Sequence, residues 1–234
     1  MKCVILQPSY IPWRGYFHQI QKADIFVFYD DVQYDKHGWR NRNQIKSLTG
    51  RQWLTIPILT KGILSKSTPI NEIIIDSSQT DWRRKHLRTL RQAYHNSSFF
   101  SQYEGWLSDV YSRNHRYLAE FTIDLTIQLA KELGITNTQF MRSSEINSTG
   151  SKTQRLLSIL ENIGANHYIT GKAAQNYLIE EQFDEAKITL EYMEYDYPEY
   201  PQLYLPFDGQ VSILDLMFMT GSKAKEYIWE TGKG

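Results

Sequence analysis

The sequence has little of several features that mark large classes of protein. Its one cysteine, Cys3, cannot form an internal disulfide and lies in an apolar run, so we expect a buried structural thiol. The opening apolar run, "CVIL", is much shorter than the apolar part of a signal peptide. No apolar run approaches the ~18 residues that a membrane-spanning helix needs. These absences predict a cytoplasmic protein that does not associate with membranes.

An excess of charge of either sign is also missing, because 26 basic residues balance 26 acidic ones. Proteins that bind nucleic acid or anionic membranes by general electrostatics carry a clear positive excess. We therefore expect no general nucleic-acid binding, although the composition is compatible with a local basic site. The oligomeric state is left open.

Several motifs that carry well-known chemistry are absent. The sequence contains no G-x-x-x-x-G-K-[ST], no G-x-G-x-x-G and no G-x-S-x-G, and it has no cysteine and histidine spacing typical of a metal site. These absences argue against serine-hydrolase, zinc and ordinary NAD-dependent chemistry. We therefore predict no metal ligands.

Aromatic residues, in contrast, are abundant and make up 14% of the chain, with 16 tyrosines and 6 tryptophans. Many lie in polar, proline-rich stretches. Such placement suits a site that binds flat or ring-shaped ligands, although aromatic side chains are more often part of a core.

The opening of the chain predicts a βαβ unit. Residues Val4–Leu6 and Ile25–Tyr29 are short apolar runs typical of buried strands, and apolar residues recur at helical spacing between them. Such a unit gives a parallel strand pair with a right-handed crossover. Two further strands are predicted at Trp53–Leu59 and Ile70–Ile75.

Helical periodicity dominates from about residue 80 to residue 165, with Thr80 as the predicted N-cap of the first helix and Gly134 and Gly164 as stops. "HYIT" and "ITLEYMEY" then return to strand composition, and "SILDLMFMTG" predicts a last helix. This order indicates α/β architecture, a Rossmann-like mainly parallel sheet with a helical insertion. We expect one domain over residues 1–234.

Two polar loops follow the first two predicted strands and form the predicted ligand site. In open α/β sheets the ligand lies beyond the carboxyl ends of the strands, where the strand order reverses. The predicted substrate-binding residues are Gln7, Ser9, Trp13, Gly15 and Tyr16 from the first loop and Tyr34, Lys36, Trp39, Arg40, Asn41, Arg42 and Asn43 from the second.

The residue types in the second loop suggest particular roles. Guanidinium groups such as those of Arg40 and Arg42 bind phosphate or carboxylate through two parallel hydrogen bonds, and the amides of Asn41 and Asn43 can read sugar hydroxyls. A solvated polar loop is the alternative. Asp31 and the aspartate before it could orient a ribose, bind Mg²⁺ or act as a base, or they could simply cap a turn.

Three later segments hold further candidates. The segment "SSEINSTGSKTQRL", which includes Ser151 and Lys152, could hold a phosphate or simply cap a helix. "YMEYDYPEYPQLY" places Tyr200 and Gln202 in a stiff loop where they could bind substrate or pack. "HYITG" supplies His167, which we predict as a candidate acid or base.

The most distinctive strings of the sequence resemble the WbqC-like protein family. In chain order they are "QPSYIPWRGYF", "ADIFVFYDDVQYDKHGWRNRNQIK", "LTIPI", "GANHYITGKAAQNYL", "YPEYPQ" and "SILDLMFMTG". The resemblance covers essentially the whole chain. The family is associated with bacterial polysaccharide and O-antigen gene clusters, so the resemblance implies a role in surface-polysaccharide synthesis.

A more distant resemblance concerns the fold. Nucleotidylyl transferases, pantothenate synthetase and class I aminoacyl-tRNA synthetases carry an H-x-G-H-like signature after the first strand, and "PSYIPWRGYFHQIQKAD" is similar to it. Gly15 would let a nucleotide approach the helix start, whose free N–H groups favour phosphate. Trp13 and Tyr16 stand in place of the histidines of that signature, which argues against adenylyl transfer by the usual mechanism.

Together these features predict a transferase that acts on a nucleotide-activated or carrier-linked sugar, with acyl or aminoacyl transfer to an amino sugar as candidate reactions. A nucleotide or nucleotide sugar is the expected ligand, and Asp31 or His167 would deprotonate the acceptor. Two alternatives remain open. One is a non-catalytic module that binds a glycan precursor or a partner enzyme, and the other is nucleotidyl transfer.

Overall fold

In residues 1–61, 67–78 and 81–230, which the computed structural model describes, five strands form a parallel central sheet. The strands of the protein are β1 (Lys2–Leu6), β2 (Ile25–Phe28), β3 (Arg42–Ser47), β4 (Gly50–Thr55), β5 (Gln139–Arg142), β6 (His167–Gly171) and β7 (Thr189–Met193). The central sheet has the order β5-β2-β1-β6-β7, and every neighbouring pair in it is parallel. The predicted α/β fold with a mainly parallel sheet is confirmed.

The strand order reverses at β1. The chain runs from β1 outward to β2 and β5 on one side, and it then returns to add β6 and β7 on the other side. The start of β1 therefore has neighbours in both directions, because Cys3 pairs with Ile25 of β2 and with Tyr168 of β6. This reversal marks the carboxyl end of β1, at Leu6, as the expected position of a ligand site.

Helices cover both faces of the sheet. They are α1 (Arg14–Lys22), α2 (Trp82–Tyr94), α3 (Phe100–Ser112), α4 (Leu118–Glu132), α5 (Lys152–Asn162), α6 (Glu180–Glu185) and α7 (Ile213–Thr220). Because side chains alternate along a strand, Val4 packs in the cluster that contains Phe17 of α1, whereas Cys3 and Ile5 pack in the cluster that contains Leu156 of α5. The two clusters are the two faces of one buried sheet.

The single cysteine is structural, as its position in an apolar run predicts. Cys3 is completely buried in β1, and its burial raises the pKa of the thiol to about 12. At neutral pH the group is a thiol and not a reactive thiolate.

The strands predicted between residues 53 and 75 differ from those observed. β4 ends at Thr55, and beyond it Ile58 makes only an isolated bridge to Ile75. The predicted strand Ile70–Ile75 begins instead as a 3₁₀ turn at Ile70–Glu72. Ile70 and Ile73 are both buried and lie three residues apart, which is one turn of a 3₁₀ helix. This spacing is not the two-residue period of a strand.

The antiparallel hairpin β3–β4 and strand β5 are not predicted by the sequence pattern. β3 is rich in polar residues, and β5 lies inside the segment from about 80 to 165 that reads as helical. Helices α2, α3, α4 and α5 occupy most of that segment. The predicted N-cap Thr80 lies outside the described residues, and α2 begins at Trp82 after Asp81.

A buried chain of polar side chains joins the loop after β1 to the helical layer. The Tyr10 hydroxyl lies 2.8 Å from Nδ1 of His86, and it also hydrogen-bonds the Tyr111 hydroxyl. His86 makes a further hydrogen bond to the Thr55 backbone, so its ring links the hairpin to α2. Burial lowers the pKa of His86 to about 4, and the imidazole is therefore neutral at pH 7.

The low pKa of His86 predicts a loss of stability in mild acid. An unfolded chain protonates a histidine near pH ~6.5, whereas the folded chain leaves His86 neutral down to about pH 4. Between these values the unfolded state binds the additional proton, so the free energy of unfolding falls as pH falls, by roughly 2–3 kcal/mol at pH 4.5. Urea denaturation at pH 7 and 4.5 measures this loss, and His86→Gln should reduce it. If the free energy of unfolding depends equally on pH in the unmodified protein and in His86→Gln, the assignment of the lowered pKa to His86 is contradicted.

Two glycines give opposite predictions for stability. Gly221 ends α7 at φ 58°, and a Cβ there would lie 2.5 Å from the Phe99 ring, so Gly221→Ala should lower the free energy of unfolding by about 1–2 kcal/mol. Gly105 lies within α3, where a Cβ meets no described atom within 4 Å. Gly105→Ala should raise the same quantity by about 0.5–1 kcal/mol. Urea denaturation measures the free energy of unfolding of both variants. Changes of equal size and sign would contradict the left-handed conformation of Gly221 and the open helical position of Gly105.

Candidate functional site

A cavity of about 740 Å³ lies over the carboxyl end of β1, beside β6. This is the point of strand-order reversal, where open α/β sheets bind ligands, and the volume is typical of sites for small molecules. The cavity is lined by Ile5, Leu6, Gln7, Ser9, Pro12, Trp13, Tyr16, Gln19, Tyr29, Trp39, Arg40, Asn43, Arg51, Lys152, Leu156, Tyr168, Tyr177 and Gln210. Residues far apart in the sequence thus meet at one place.

The structure brings together about half of the residues that the sequence proposes for the site. Those in the cavity wall are Gln7, Ser9, Trp13, Tyr16, Trp39, Arg40 and Asn43. Those outside it are Gly15, Asp31, Tyr34, Lys36, Asn41, Arg42, His167, Tyr200 and Gln202.

Gly15 is needed for a reason other than the one proposed from the sequence. A Cβ at Gly15 would lie 2.3 Å from the Trp13 ring, so the indole of Trp13 folds over the helix start. The missing side chain at Gly15 therefore makes room for the Trp13 indole, whereas the sequence suggested room for a nucleotide. The indole, which also packs edge-on against Tyr195 at 5.1 Å, occupies the space where the nucleotide was expected.

Arg40 organises the loop after β1. Its Nη1 donates to the carbonyl oxygens of Gln7 and Pro8, at 3.2 and 3.1 Å, and to the Ser9 hydroxyl at 2.9 Å. Its Nε lies 3.9 Å from Asp35, and burial lowers the pKa of the guanidinium from its usual high value. Arg40 therefore shapes the loop at the cavity wall through Nη1 alone, and its buried Nε has no hydrogen-bond partner among the described residues.

Asn43 and the strained residue Ile11 complete the same loop. Ile11 has φ 38°, a left-handed conformation that costs a β-branched residue free energy, on the order of 1–3 kcal/mol. The Asn43 side-chain amide donates to the carbonyl oxygens of Tyr10 and Ile11, at 3.0 and 2.9 Å, and so stabilises the turn. Strain that is held in place in this way is common at functional sites.

Asn41 and Tyr34 have structural contacts behind the cavity wall. The Tyr34 hydroxyl donates to Oδ1 of Asn41 at 2.9 Å, and the Asn41 amide donates to the Ile56 carbonyl oxygen at 2.8 Å. Lys36 is exposed in the loop between β2 and β3. None of the three faces the cavity.

Asp31 is engaged in a polar network at the ends of β2 and β5. One carboxylate oxygen pairs with Arg155, and the other accepts a hydrogen bond from the Ser143 hydroxyl at 2.6 Å. The neighbouring Asp30 is fully buried and pairs with Arg142 at 2.7 Å. Among the described residues, no group of three or more metal-ligating side chains is present here or elsewhere. A free base at Asp31 would require its pairing with Arg155 to break.

His167 lies at the amino ends of the strands, whereas the cavity lies at the carboxyl end of β1. It is the first residue of β6 and pairs in register with Lys2, so it belongs to the amino ends of the strands. Its Nε2 is 2.8 Å from the Glu191 carboxylate, which also pairs with Lys22. Chain direction puts this end of β6 away from the carboxyl ends of the strands, and His167 is not among the residues that line the cavity.

Tyr200 and Gln202 belong to a buried network around Asp215. The Tyr200 hydroxyl and the Gln202 amide donate to Asp215 at 2.8 and 2.7 Å, and Tyr94 donates to its second oxygen at 2.8 Å. Burial raises the pKa of Asp215 although these donors act against it. Lys46 donates to Oε1 of Gln202 at 2.8 Å, so the network fixes the C-terminal loop onto the hairpin.

Family comparison gives this site a context. The profile of the WbqC-like protein family matches residues 7–227 of the chain. The chain belongs to the WbqC-like protein family. A relative in Mycobacterium tuberculosis (strain ATCC 25618 / H37Rv), "Uncharacterized protein Rv1507c", is 38% identical over 229 residues, which cover 97% of each chain. No solved structure matches this WbqC-like protein.

Lys152 and Arg51 add two cations to the cavity wall of this WbqC-like protein, beside the residues of the two predicted loops. Lys152 begins α5 at φ 51°, and it makes no ion pair with any described residue. Arg51, on β4, pairs with Asp208 and has its Nη2 2.9 Å from the carboxylate. The segment "SSEINSTGSKTQRL" does mark Lys152 as a phosphate candidate, whereas Arg51 arrives through a hairpin that the sequence does not predict.

The charged groups in the cavity wall of the WbqC-like protein are cationic. They are Arg40, Arg51 and Lys152, and among the described residues no aspartate, glutamate, histidine or cysteine lines the cavity. Burial raises the pKa of Tyr16 well above its usual value, so its hydroxyl remains protonated. The cavity therefore favours an anionic, ring-containing ligand and offers no carboxylate or imidazole as a base. No helix in the described part of the chain has the length and apolar character that a bilayer crossing requires.

The contacts of the two loop arginines predict different effects on stability. Arg40→Ala removes three hydrogen bonds to the loop after β1, so the free energy of unfolding should fall by about 2–3 kcal/mol. Arg42 donates to a single carbonyl, that of His37, and stacks on a partly exposed ring, so Arg42→Ala should cost less than about 1 kcal/mol. Urea denaturation of both variants tests the contrast, and a larger loss for Arg42→Ala would refute it.

Proposed function

We propose that this WbqC-like protein is a transferase that acts on a nucleotide-activated or carrier-linked sugar in surface-polysaccharide synthesis. Family membership supports the broader role in polysaccharide-related biosynthesis. The observation that carries the proposal is the cavity at the strand-order reversal, whose wall combines Trp13, Trp39 and Tyr16 with three cationic side chains. Such a wall suits a ligand that contains both rings and phosphates.

Lys152 is the proposed phosphate anchor. It is the one cationic residue of the described cavity wall that has no carboxylate within ion-pair distance, since Arg40 lies 3.9 Å from Asp35 and Arg51 pairs with Asp208. Its backbone is left-handed, a conformation that costs a residue other than glycine free energy. An ammonium group that is unpaired in the free protein is available to a diphosphate.

The proposed chemistry relies on positioning. In acyl or aminoacyl transfer, the nitrogen of an acceptor amino sugar attacks the carbonyl of the activated group, a C–N bond forms, and the bond to the donor's leaving group breaks. The proton from nitrogen passes to the leaving group or to water. Holding the two reactants in contact contributes much of the rate in such reactions, and the cavity supplies that contact without a general base in its wall.

A non-catalytic module that binds glycan precursors is the second candidate. The observation that favours it is the lack of carboxylate, imidazole and thiol groups among the described cavity residues. Nucleotidyl transfer has less support, because Trp13 covers Gly15 and no histidine of the described chain lines the cavity. Incubation with activated acyl or aminoacyl donors and with nucleotide-linked amino sugars as acceptors, followed by mass spectrometry, distinguishes the transferase from the binding module. An acylated sugar requires the transferase, and bound but unchanged sugar indicates the module.

Two lysines with the same backbone conformation allow a direct test of the anchor. Lys152→Gly relieves the left-handed strain, so the free energy of unfolding should stay equal or rise by up to about 1 kcal/mol. Because the variant lacks the ammonium group, affinity for UDP-N-acetylglucosamine in calorimetry should fall about 10-fold.

Lys187→Gly is the matched control. Lys187 has φ 57° and is exposed after α6, outside the cavity wall. It should gain stability in the same way and keep full affinity. Equal affinity of the Lys152→Gly variant and the unmodified protein would reject the proposed role of Lys152, and absence of binding to the unmodified protein would reject a sugar-nucleotide site.

A further inference from the structure

A second hollow of about 650 Å³ lies between the end of β4 and helix α2. It is lined by Trp53, Leu54, Thr55, Pro57, Ser78, Asp81, Trp82, Lys85, His86 and Thr89. Its charged residues are of both signs, in contrast to the cationic cavity. The hollow is therefore suited to a ligand that is polar but carries little net charge.

Two partly exposed tryptophans connect the cavity and the hollow. Trp39 lines the cavity and Trp53 lines the hollow, and their rings stack with centroids 5.4 Å apart at an interplanar angle of 27°. The Arg42 guanidinium lies 4.6 Å from the centroid of the Trp53 ring. These three planar groups form what we call the Trp39–Trp53 stack, and it spans the distance between the two concave surfaces.

Backbone hydrogen bonds hold the two tryptophans of the Trp39–Trp53 stack in place, although their side chains are partly open to solvent. Trp53 pairs with Gln44 in the hairpin, and the Tyr10 amide donates to the Trp39 carbonyl oxygen at 3.0 Å. Trp39 and Trp53 are nevertheless 45% and 43% exposed. Indoles that are fixed in position but remain in contact with water are common where a protein stacks on a ring of its ligand.

The hollow also contains an unsatisfied hydrogen-bond donor. Trp82 is 4% exposed, and its indole N–H has no hydrogen-bond partner among the described residues. Buried N–H groups normally find an acceptor, because leaving one unpaired costs about 1–3 kcal/mol. Ser78, Lys85 and Thr89 add further hydrogen-bonding groups to the same wall. A ligand with many oxygen atoms would bond the groups of this wall, and it would reach the enclosed Trp82 N–H only after a local movement of the wall.

We infer that the Trp39–Trp53 stack and the second hollow together form a subsite for a neutral oligosaccharide of two or more pyranose rings. A pyranose ring has an apolar C–H face that packs on an indole, and its hydroxyls both donate and accept hydrogen bonds. The inference rests on the proposed function in one respect, since it makes the neutral oligosaccharide the part of a longer glycan that extends away from the amino sugar reacting in the cavity. It identifies the acceptor as an amino sugar within a saccharide chain and not a single sugar.

The indole N–H resonances of the six tryptophans test the inference directly. The full chain, labelled with ¹⁵N and assigned through single Trp→Phe variants, is titrated with maltotetraose and with chitotetraose. At least one tetrasaccharide should shift the signals of Trp39, Trp53 and Trp82. Absence of a shift with both would overturn the inference. So would shifts that follow protein concentration and not saccharide, because they would indicate that two copies of the chain meet through the stack.

Substitutions in the hairpin provide the matched comparison. Trp53→Ala should weaken tetrasaccharide binding at least 5-fold, and Trp53→Phe should largely retain it because a ring face remains. Leu48→Ala is the control, since Leu48 is 81% exposed at the tip of the same hairpin and outside both concave surfaces. Unchanged affinity in a folded Trp53→Ala variant would overturn the subsite. If that variant does not fold, the wild-type shifts decide.

Titration with UDP-N-acetylglucosamine separates this inference from the proposed function. Tetrasaccharide binding without nucleotide-sugar binding would reject the proposed nucleotide-sugar site in the cavity and would leave the saccharide subsite supported. Nucleotide-sugar binding without tetrasaccharide binding would reject the subsite alone. In the folded Trp53→Ala variant, affinity for the nucleotide sugar should fall less than affinity for the tetrasaccharide, because Trp53 does not line the cavity and affects it only through Trp39.

Discussion

The candidate site depends on how the loop after β1 is held. This loop leaves the sheet where the strand order reverses, and it contains a β-branched residue, Ile11, in a left-handed conformation. Arg40 and Asn43 hold its carbonyl groups, and Tyr10 joins it to the helical layer through His86. A loop with so many fixed contacts costs little conformational entropy to order when a ligand binds.

The hairpin β3–β4 holds the residues that fix the loop after β1. Asn43 belongs to β3 and Arg40 precedes it, so the residues that shape the loop are fixed by pairing with β4. Lys46 on β3 joins the buried network around Asp215, which holds the C-terminal loop in place. That loop carries Gln210 to the cavity wall. The loop after β1 and the C-terminal loop, which are far apart in the sequence, are therefore both held against one hairpin beside the cavity.

The sequence predicts the parts of the fold that follow from local patterns. The βαβ opening and the helix ends at Gly134 and Gly164 agree with the structure, because apolar spacing and left-handed glycines act over a few residues. The pairing of Asp31 with Arg155, 124 positions later, has no local signal. Only the three-dimensional structure could therefore show that this carboxylate already has a partner.

The residues of the cavity wall were predictable only where a local pattern in the sequence indicates them. Position after the first strand was sufficient to indicate Gln7, Ser9 and Trp13, because ligand sites in this architecture follow strand ends. The polar strands β3 and β4 have no clear alternation of apolar residues, so the arrival of Arg51 at the cavity had no sequence signal. His167 is a different case, since chain direction alone places it at the amino end of β6.

The buried position of Cys3 has a practical consequence. Because this thiol is enclosed in β1 and its raised pKa keeps it protonated at neutral pH, the natural chain presents no reactive sulfur to reagents in solution. A cysteine introduced at an exposed position would therefore be the single site of attachment for a fluorophore or spin label. The native background needs no prior removal of its own cysteine, and distances within the folded chain become accessible to spectroscopy.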